Sequence, residues 1–88
     1  MKYRVEYSER AIKDLKKLDS YTKRLIKSWI EKHLEGTESP KSKGKPLAGN
    51  RSNQWRYRIG DYRLICLIKE NELIILTLSV GHRRDVYK

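Results

Sequence analysis

The sequence predicts a single α+β domain over residues 1–88, of order β-α-α-β-β-β, with a helix pair packed on an antiparallel sheet. Three observations predict it. Residues 54–80 hold three runs of strand-like alternation separated by short polar turns. Residues 8–36 hold two stretches of apolar residues at helical spacing, each with a capping residue in front. Ahead of both, residues 2–7 alternate with a period of two.

The elements follow in chain order. Tyr3, Val5 and Tyr7 fall on one side of the first alternating run, a short strand with one buried face. Ser8 is a good helix N-cap, and Glu9 sits in the first turn, where the helix dipole favours a carboxylate. Ala11, Ile12, Leu15 and Leu18 then mark an amphipathic helix of about three turns. Asp19 or Ser20 starts the second helix, whose stripe is Leu25, Ile26, Trp29, Ile30 and Leu34, with Gly36 as its stop. The short link makes the two helices an antiparallel pair. His33 near the end of the second helix reads as a surface residue facing the helix dipole. Thr37–Asn53 holds both prolines and the alternating Lys41, Lys43 and Lys45, and is the least structured segment. It reads either as a basic rim for an anion or as a linker whose lysines aid solubility.

Gln54–Lys69, QWRYRIGDYRLICLIK, reads as a β-hairpin about Gly60-Asp61. A two-residue loop there sets Ile59 across from Tyr62 and Arg58 across from Arg63. Trp55, Tyr57, Ile59, Tyr62, Leu64 and Cys66 then share a core face, while Arg56, Arg58 and Arg63 share the other. Like charges directly opposed on a sheet repel. Their convergence is explained if an anion sits between them, because guanidinium forks match phosphate oxygens. After a turn at Glu70-Asn71-Glu72 comes a long apolar strand, Leu73–Val80, which Gly81 ends. Val86 and Tyr87 suggest a tail folded back onto the sheet.

Composition narrows the chemistry. Lys and Arg number 21 against 11 Asp and Glu, a net charge of +10 in 88 residues. Such a surplus suits a polyanionic partner: nucleic acid, an acidic protein or a membrane surface. No apolar run is long enough to span a bilayer, and the charged opening lacks the apolar centre of a signal peptide. One cysteine cannot form an internal disulfide, so a reducing cytoplasm is the expected setting. Two histidines and one cysteine on separate elements lack metal-ligand spacing, so no metal and no cofactor is expected. GKPLAGN lacks the spacing of a phosphate-binding Walker loop, and no carboxylate pair is placed for acid–base work. Cys66 alternates onto the core face and reads as a small hydrophobe. Arg, Lys, His and Tyr remain, an inventory for phosphate chemistry by electrostatics.

The chain resembles the RelE branch of the RelE/ParE toxin superfamily over nearly its whole length. The likeness rests on an opening strand followed by SERAIKDLKKLD, on KGKPLAGN leading into WRYRIGDYRLI, and on the closing SVGHRRDVY. It implies a toxin of a toxin–antitoxin pair that enters the ribosomal A site and cuts the message there, inhibiting translation. In such a cut the 2′-OH attacks the adjacent phosphate, leaving a 2′,3′-cyclic phosphate and a 5′-OH. The resemblance implies Arg56, Arg58, Arg63, Arg83 and Tyr87 as the catalytic set, with His82, beside Arg83, a further candidate. Lys41, Lys43, Lys45, Arg51 and Arg84 would form the RNA-binding rim. It also implies a RelB-like antitoxin with an acidic binding segment, with the 70S ribosome and mRNA as targets and no membrane partner. A binding-only alternative, ParE-like inhibition of DNA gyrase, belongs to the same superfamily. Two departures stand out. RelE-type sites carry lysines where this chain has Arg56 and Arg58, and arginine does not serve readily as a general base. Tyr87, His82 or a lysine of the 41–45 segment would take that role. Relatives with a Glu base and a terminal His-Tyr pair have no counterpart here.

Overall fold

The computed structural model describes residues 2–47 and 53–82. Strand β1 (Arg4–Tyr7) leads into helices α1 (Glu9–Lys16) and α2 (Ser20–His33). A 3₁₀ turn (Pro40–Lys43) and a two-residue strand β2 (Lys45–Pro46) follow. Strands β3 (Gln54–Ile59), β4 (Tyr62–Lys69) and β5 (Ile74–His82) complete the fold. The sheet has the order β1-β5-β4-β3-β2. The expected α+β class and the antiparallel β3-β4-β5 meander are both present, but the sheet as a whole is mixed, because β1 runs parallel to β5.

Capping decides where the helices begin. The Ser8 hydroxyl accepts from the Ala11 amide at 3.0 Å, and the Asp19 carboxylate accepts from the Thr22 amide at 3.1 Å. Each fills an orphan donor of a first helical turn. Helix α1 is shorter than its stripe suggested and ends before Leu18. Ala11 and Leu15 from α1, and Ile26, Ile30 and Leu34 from α2, join one core with Val5, Tyr57, Ile59, Leu64, Cys66, Ile75 and Val80. Ile12 and Leu25, expected on the buried stripes, stay 43% and 44% exposed.

Helix α1 also protects β5, which lies between β1 and β4. Beyond the end of β1 the β5 edge would be bare. The Ser8 hydroxyl donates to the Leu78 carbonyl at 2.9 Å, and the Asp14 carboxylate accepts from the Val80 amide at 3.0 Å. The outer edge of β1 is closed in the same way: the Val5 amide donates to the Glu35 carboxylate at 3.1 Å. Covering an edge with side-chain acceptors blocks unwanted strand pairing.

Within the segment expected to be least structured, residues 40–46 are pinned to β3. The buried Tyr57 hydroxyl donates to the Pro40 carbonyl at 2.7 Å, and the Trp55 indole donates to the Lys41 carbonyl at 3.2 Å. Gly44 passes so close that a Cβ there would lie 2.4 Å from the Arg56 carbonyl oxygen. Proline is tolerated in β2 because the strand lies at the sheet edge.

Candidate nucleic-acid interface

The hairpin register places the arginines. Gly60 takes φ +58°, as the first position of the tight turn requires. Ile59 stands opposite Tyr62, Arg58 opposite Arg63 and Arg56 opposite Ile65, as the two-residue loop predicts. Tyr57, Ile59, Leu64 and Cys66 are buried toward the helices, with Trp55 and Tyr62 packed at the margin of that core. Arg56, Arg58 and Arg63 therefore share the face turned away from the helices. Arg58 is exposed, whereas Arg56 and Arg63 are half-buried.

Strand β2 extends this face. Lys45 lies directly opposite Arg56, a second like-charge pair beside Arg58 and Arg63. Directly opposed residues carry their Cβ atoms about 4.5–5.5 Å apart. Ser42, Lys43, Gly44, Lys45, Arg56 and Arg58 line an open cavity of about 340 Å³. Among the described residues no carboxylate lines it. The arrangement can clasp anionic oxygens from several sides. Its partly reduced solvent exposure makes each contact stronger than it would be in open water.

Other candidates go elsewhere. Lys41 turns from the cavity to pair with Glu70 and lies over the Trp55 ring at 5.3 Å from its centre. His82 stands on the helix side. Strand β5 does not stop at Gly81, and an extra residue at Leu78 shifts the register between Ile65 and Cys66. The bulge reverses the alternation. Gly81 consequently faces Arg63, while His82 faces Tyr62 with ring centres 5.6 Å apart. His82 and Tyr62 line a different cavity, of about 310 Å³, with Arg10, Asp14 and Lys17. Arg51, Arg83, Arg84 and Tyr87 lie outside the described residues, as does the expected fold-back of the tail.

Sequence reasoning missed Ser42 as a lining residue and Lys45 as a strand residue. A signal for β2 existed: a proline after a basic residue, immediately before the hairpin, fits an edge strand. Cys66 is fully buried on the core face, as its alternation predicts. Burial pushes its thiol up to about 12, against a smaller opposing effect of its hydrogen bond to Thr77. Among the described residues no group of three His, Cys, Asp or Glu could hold a metal ion, and no helix is long and apolar enough to cross a membrane.

Comparison with known proteins adds to this geometry. The family model described as the ParE toxin of type II toxin–antitoxin systems, parDE, matches residues 5–87. Toxin RelG of Mycobacterium tuberculosis is 30% identical over 89 residues, covering 100% of this chain and 99% of the relative. The mRNA interferase toxin RelE of Escherichia coli is 30% identical over 90 residues, covering 99% of this chain and 92% of the relative. In the crystal structure of the toxin–antitoxin complex RelBE2 from Mycobacterium tuberculosis, the similar chain superposes with a TM-score of 0.84 at 28% identity. That match covers 94% of this chain and 100% of the other. The shared fold, a match from first strand to tail and relatives aligned over more than nine-tenths of their lengths lead to one conclusion: the chain belongs to the ParE toxin family of type II toxin–antitoxin systems and is a RelE-like toxin of the RelE/ParE superfamily.

Proposed function

We propose that the protein is a ribosome-dependent endoribonuclease that cuts mRNA in the A site, with Arg58 and Arg63 as the clamp on the scissile phosphate. One observation carries the reading: two guanidinium groups opposed on an open sheet face, beside a cavity whose described lining is cationic and carboxylate-free. Attack of the 2′-OH builds negative charge on the phosphate oxygens, and preorganised cations aimed there lower the barrier. No metal is required for that role. Arginine keeps its proton, so the clamp orients the phosphate and stabilises charge, while Lys43 and Lys45 bring the cavity's transferable protons. Arg83 and Tyr87, from the tail, are assigned to the leaving side and to base stacking or proton sharing. His82, on the far face, has no part in the proposal. The name of the Escherichia coli relative, an mRNA interferase, supports the same reaction class.

The proposed inhibitor is a RelB-like antitoxin whose acidic segment neutralises the basic face, as suits a chain of net charge +10. Two similar solved structures, from Escherichia coli and Pyrococcus horikoshii, are RelB–RelE complexes, which supports such a partner.

Programmed 70S ribosomes test the reading. Arg63→Ala is expected to lower the rate of message cleavage by about 10²–10³-fold, the loss typical of one transition-state donor. Its circular dichroism should stay unchanged. Wild-type-like cleavage by this variant would refute the clamp. The matching family model is named for ParE, which gives the gyrase reading a specific footing. Intact messages together with stalled gyrase–DNA complexes would establish that reading instead.

A further inference from the structure

We infer that Lys45 is the general base of the cleavage, the group that takes the proton from the attacking 2′-OH; this rests on the reading that the basic face cuts RNA. The clamp cannot supply that group. Guanidinium groups keep their protons, so the arginines orient the phosphate and hold charge but accept no proton.

Geometry separates the described side chains that can exchange a proton. His82 lies on the opposite side of the sheet, against Tyr62. Lys41 is engaged by Glu70 and lies over the Trp55 ring. The Ser42 hydroxyl donates to the Ser39 carbonyl at 2.8 Å, and the Tyr57 hydroxyl is buried on the Pro40 carbonyl. Lys43 and Lys45 remain on the cavity. Lys43 belongs to the 3₁₀ turn, whereas Lys45 is in strand register, directly opposite Arg56. Its backbone is fixed on both sides. The Leu47 amide donates to the Gln54 carbonyl at 3.1 Å, and Gly44 packs against the Arg56 carbonyl and the Tyr57 ring. Arg58 is two positions beyond Arg56 on the same face, which makes Lys45 and Arg58 diagonal neighbours. Such neighbours lie about 7–8 Å apart, within reach of long side chains. An amine on a four-carbon stem at Lys45 can therefore meet the ribose next to a phosphate held by Arg58 and Arg63. The charged groups that share its cavity are Lys43 from the turn and Arg56 and Arg58 from β3. In the step, the neutral amine takes the 2′-OH proton as the O2′–P bond forms. The P–O5′ bond breaks with its electron pair on O5′, which takes a proton from water. Lys45 then gives its proton to the hydroxide left behind, and the products are a 2′,3′-cyclic phosphate and a 5′-OH.

Single-turnover cleavage on programmed ribosomes, followed against pH, tests the assignment. The wild-type rate should rise with pH as the amine loses its proton. Lys45→Arg keeps the charge and removes the acceptor. It should lower the rate by about 10²–10⁴-fold and abolish the rise with pH. Lys45→Arg cleaving at the wild-type rate would mean that the residue supplies charge alone, and would overturn the base. Lys45→Cys alkylated with 2-bromoethylamine restores a less basic amine on a thioether stem of lysine length. Cys66 is fully buried, so the reagent finds the introduced thiol. Cleavage should return with its rise moved to lower pH, a change that a merely structural role would not produce. An alkylated protein that melts like wild type yet stays inactive, or that keeps the wild-type pH profile, would overturn the base. Wild-type protein that leaves messages intact would overturn the nuclease reading, and the base with it.

Discussion

Gly44→Ala tests how the cavity is built. The glycine backbone is extended, with φ −148° and ψ −165°, a conformation open to alanine. Close approach is therefore the constraint. An added Cβ would stand 2.4 Å from the Arg56 carbonyl oxygen and 2.8 Å and 2.9 Å from two carbons of the Tyr57 ring. The oxygen belongs to a paired strand and the ring is fully buried, so neither yields cheaply. To reach a tolerable contact the turn must retreat by more than half an ångström. Overpacking of this kind costs about 1–3 kcal/mol. Retreat also stretches the hydrogen bond from the buried Tyr57 hydroxyl to the Pro40 carbonyl, and an unmet buried group costs about 1–3 kcal/mol. Alanine stiffens the unfolded chain, which offsets about 0.4–1 kcal/mol. A net loss of about 3 kcal/mol corresponds to a fall in Tm of about 12–24 °C for a domain of this size. Thermal unfolding followed by circular dichroism measures it, with Ser42→Ala as a control on the same turn. A Gly44→Ala protein that melts within about 2 °C of wild type would refute the close-approach argument.

Two further predictions concern stability. Ser8→Ala removes both the α1 cap and the donor to the Leu78 carbonyl, so chemical denaturation should show a loss of about 1–2 kcal/mol. Near-wild-type stability would mean that α1 does not seal the β5 edge. At high pH the unfolded chain releases the Cys66 proton near the ordinary value of 9.0, while the folded chain holds it to about 12. The unfolded state thus binds fewer protons between these values, so stability should fall as pH rises from about 9 to 12. Cys66→Ala should flatten that part of the curve. Tyr57, also raised by burial, will leave a residual slope of the same sign.

The residues themselves settle what is local. Gly60-Asp61 fixes the loop length, and a period of two then fixes every pairing from Ile59–Tyr62 back to Arg56–Ile65. Ser8 and Asp19 announce their helices because a cap hydrogen bond spans only three residues. The arginine face was therefore legible from one hairpin. Tertiary structure decided whatever depends on partners distant in sequence. Alternation made residues 4–7 a strand but could not say that it pairs in parallel with β5; that follows from α1 crossing the β5 edge. Helical spacing put Ile12 and Leu25 on apolar stripes, yet neither lies where the sheet can cover it. Two aromatic donors and a glycine without Cβ draw an unpromising segment onto β3, which sets Lys45 against Arg56 and leaves Lys41 to Glu70. One extra residue at Leu78 reverses the alternation of β5 and sends His82 to the opposite side of the sheet from the arginines. Short-range geometry repeats along the chain and can be read from it, whereas pairing, coverage and bulges are set only when distant segments compete for the same surface.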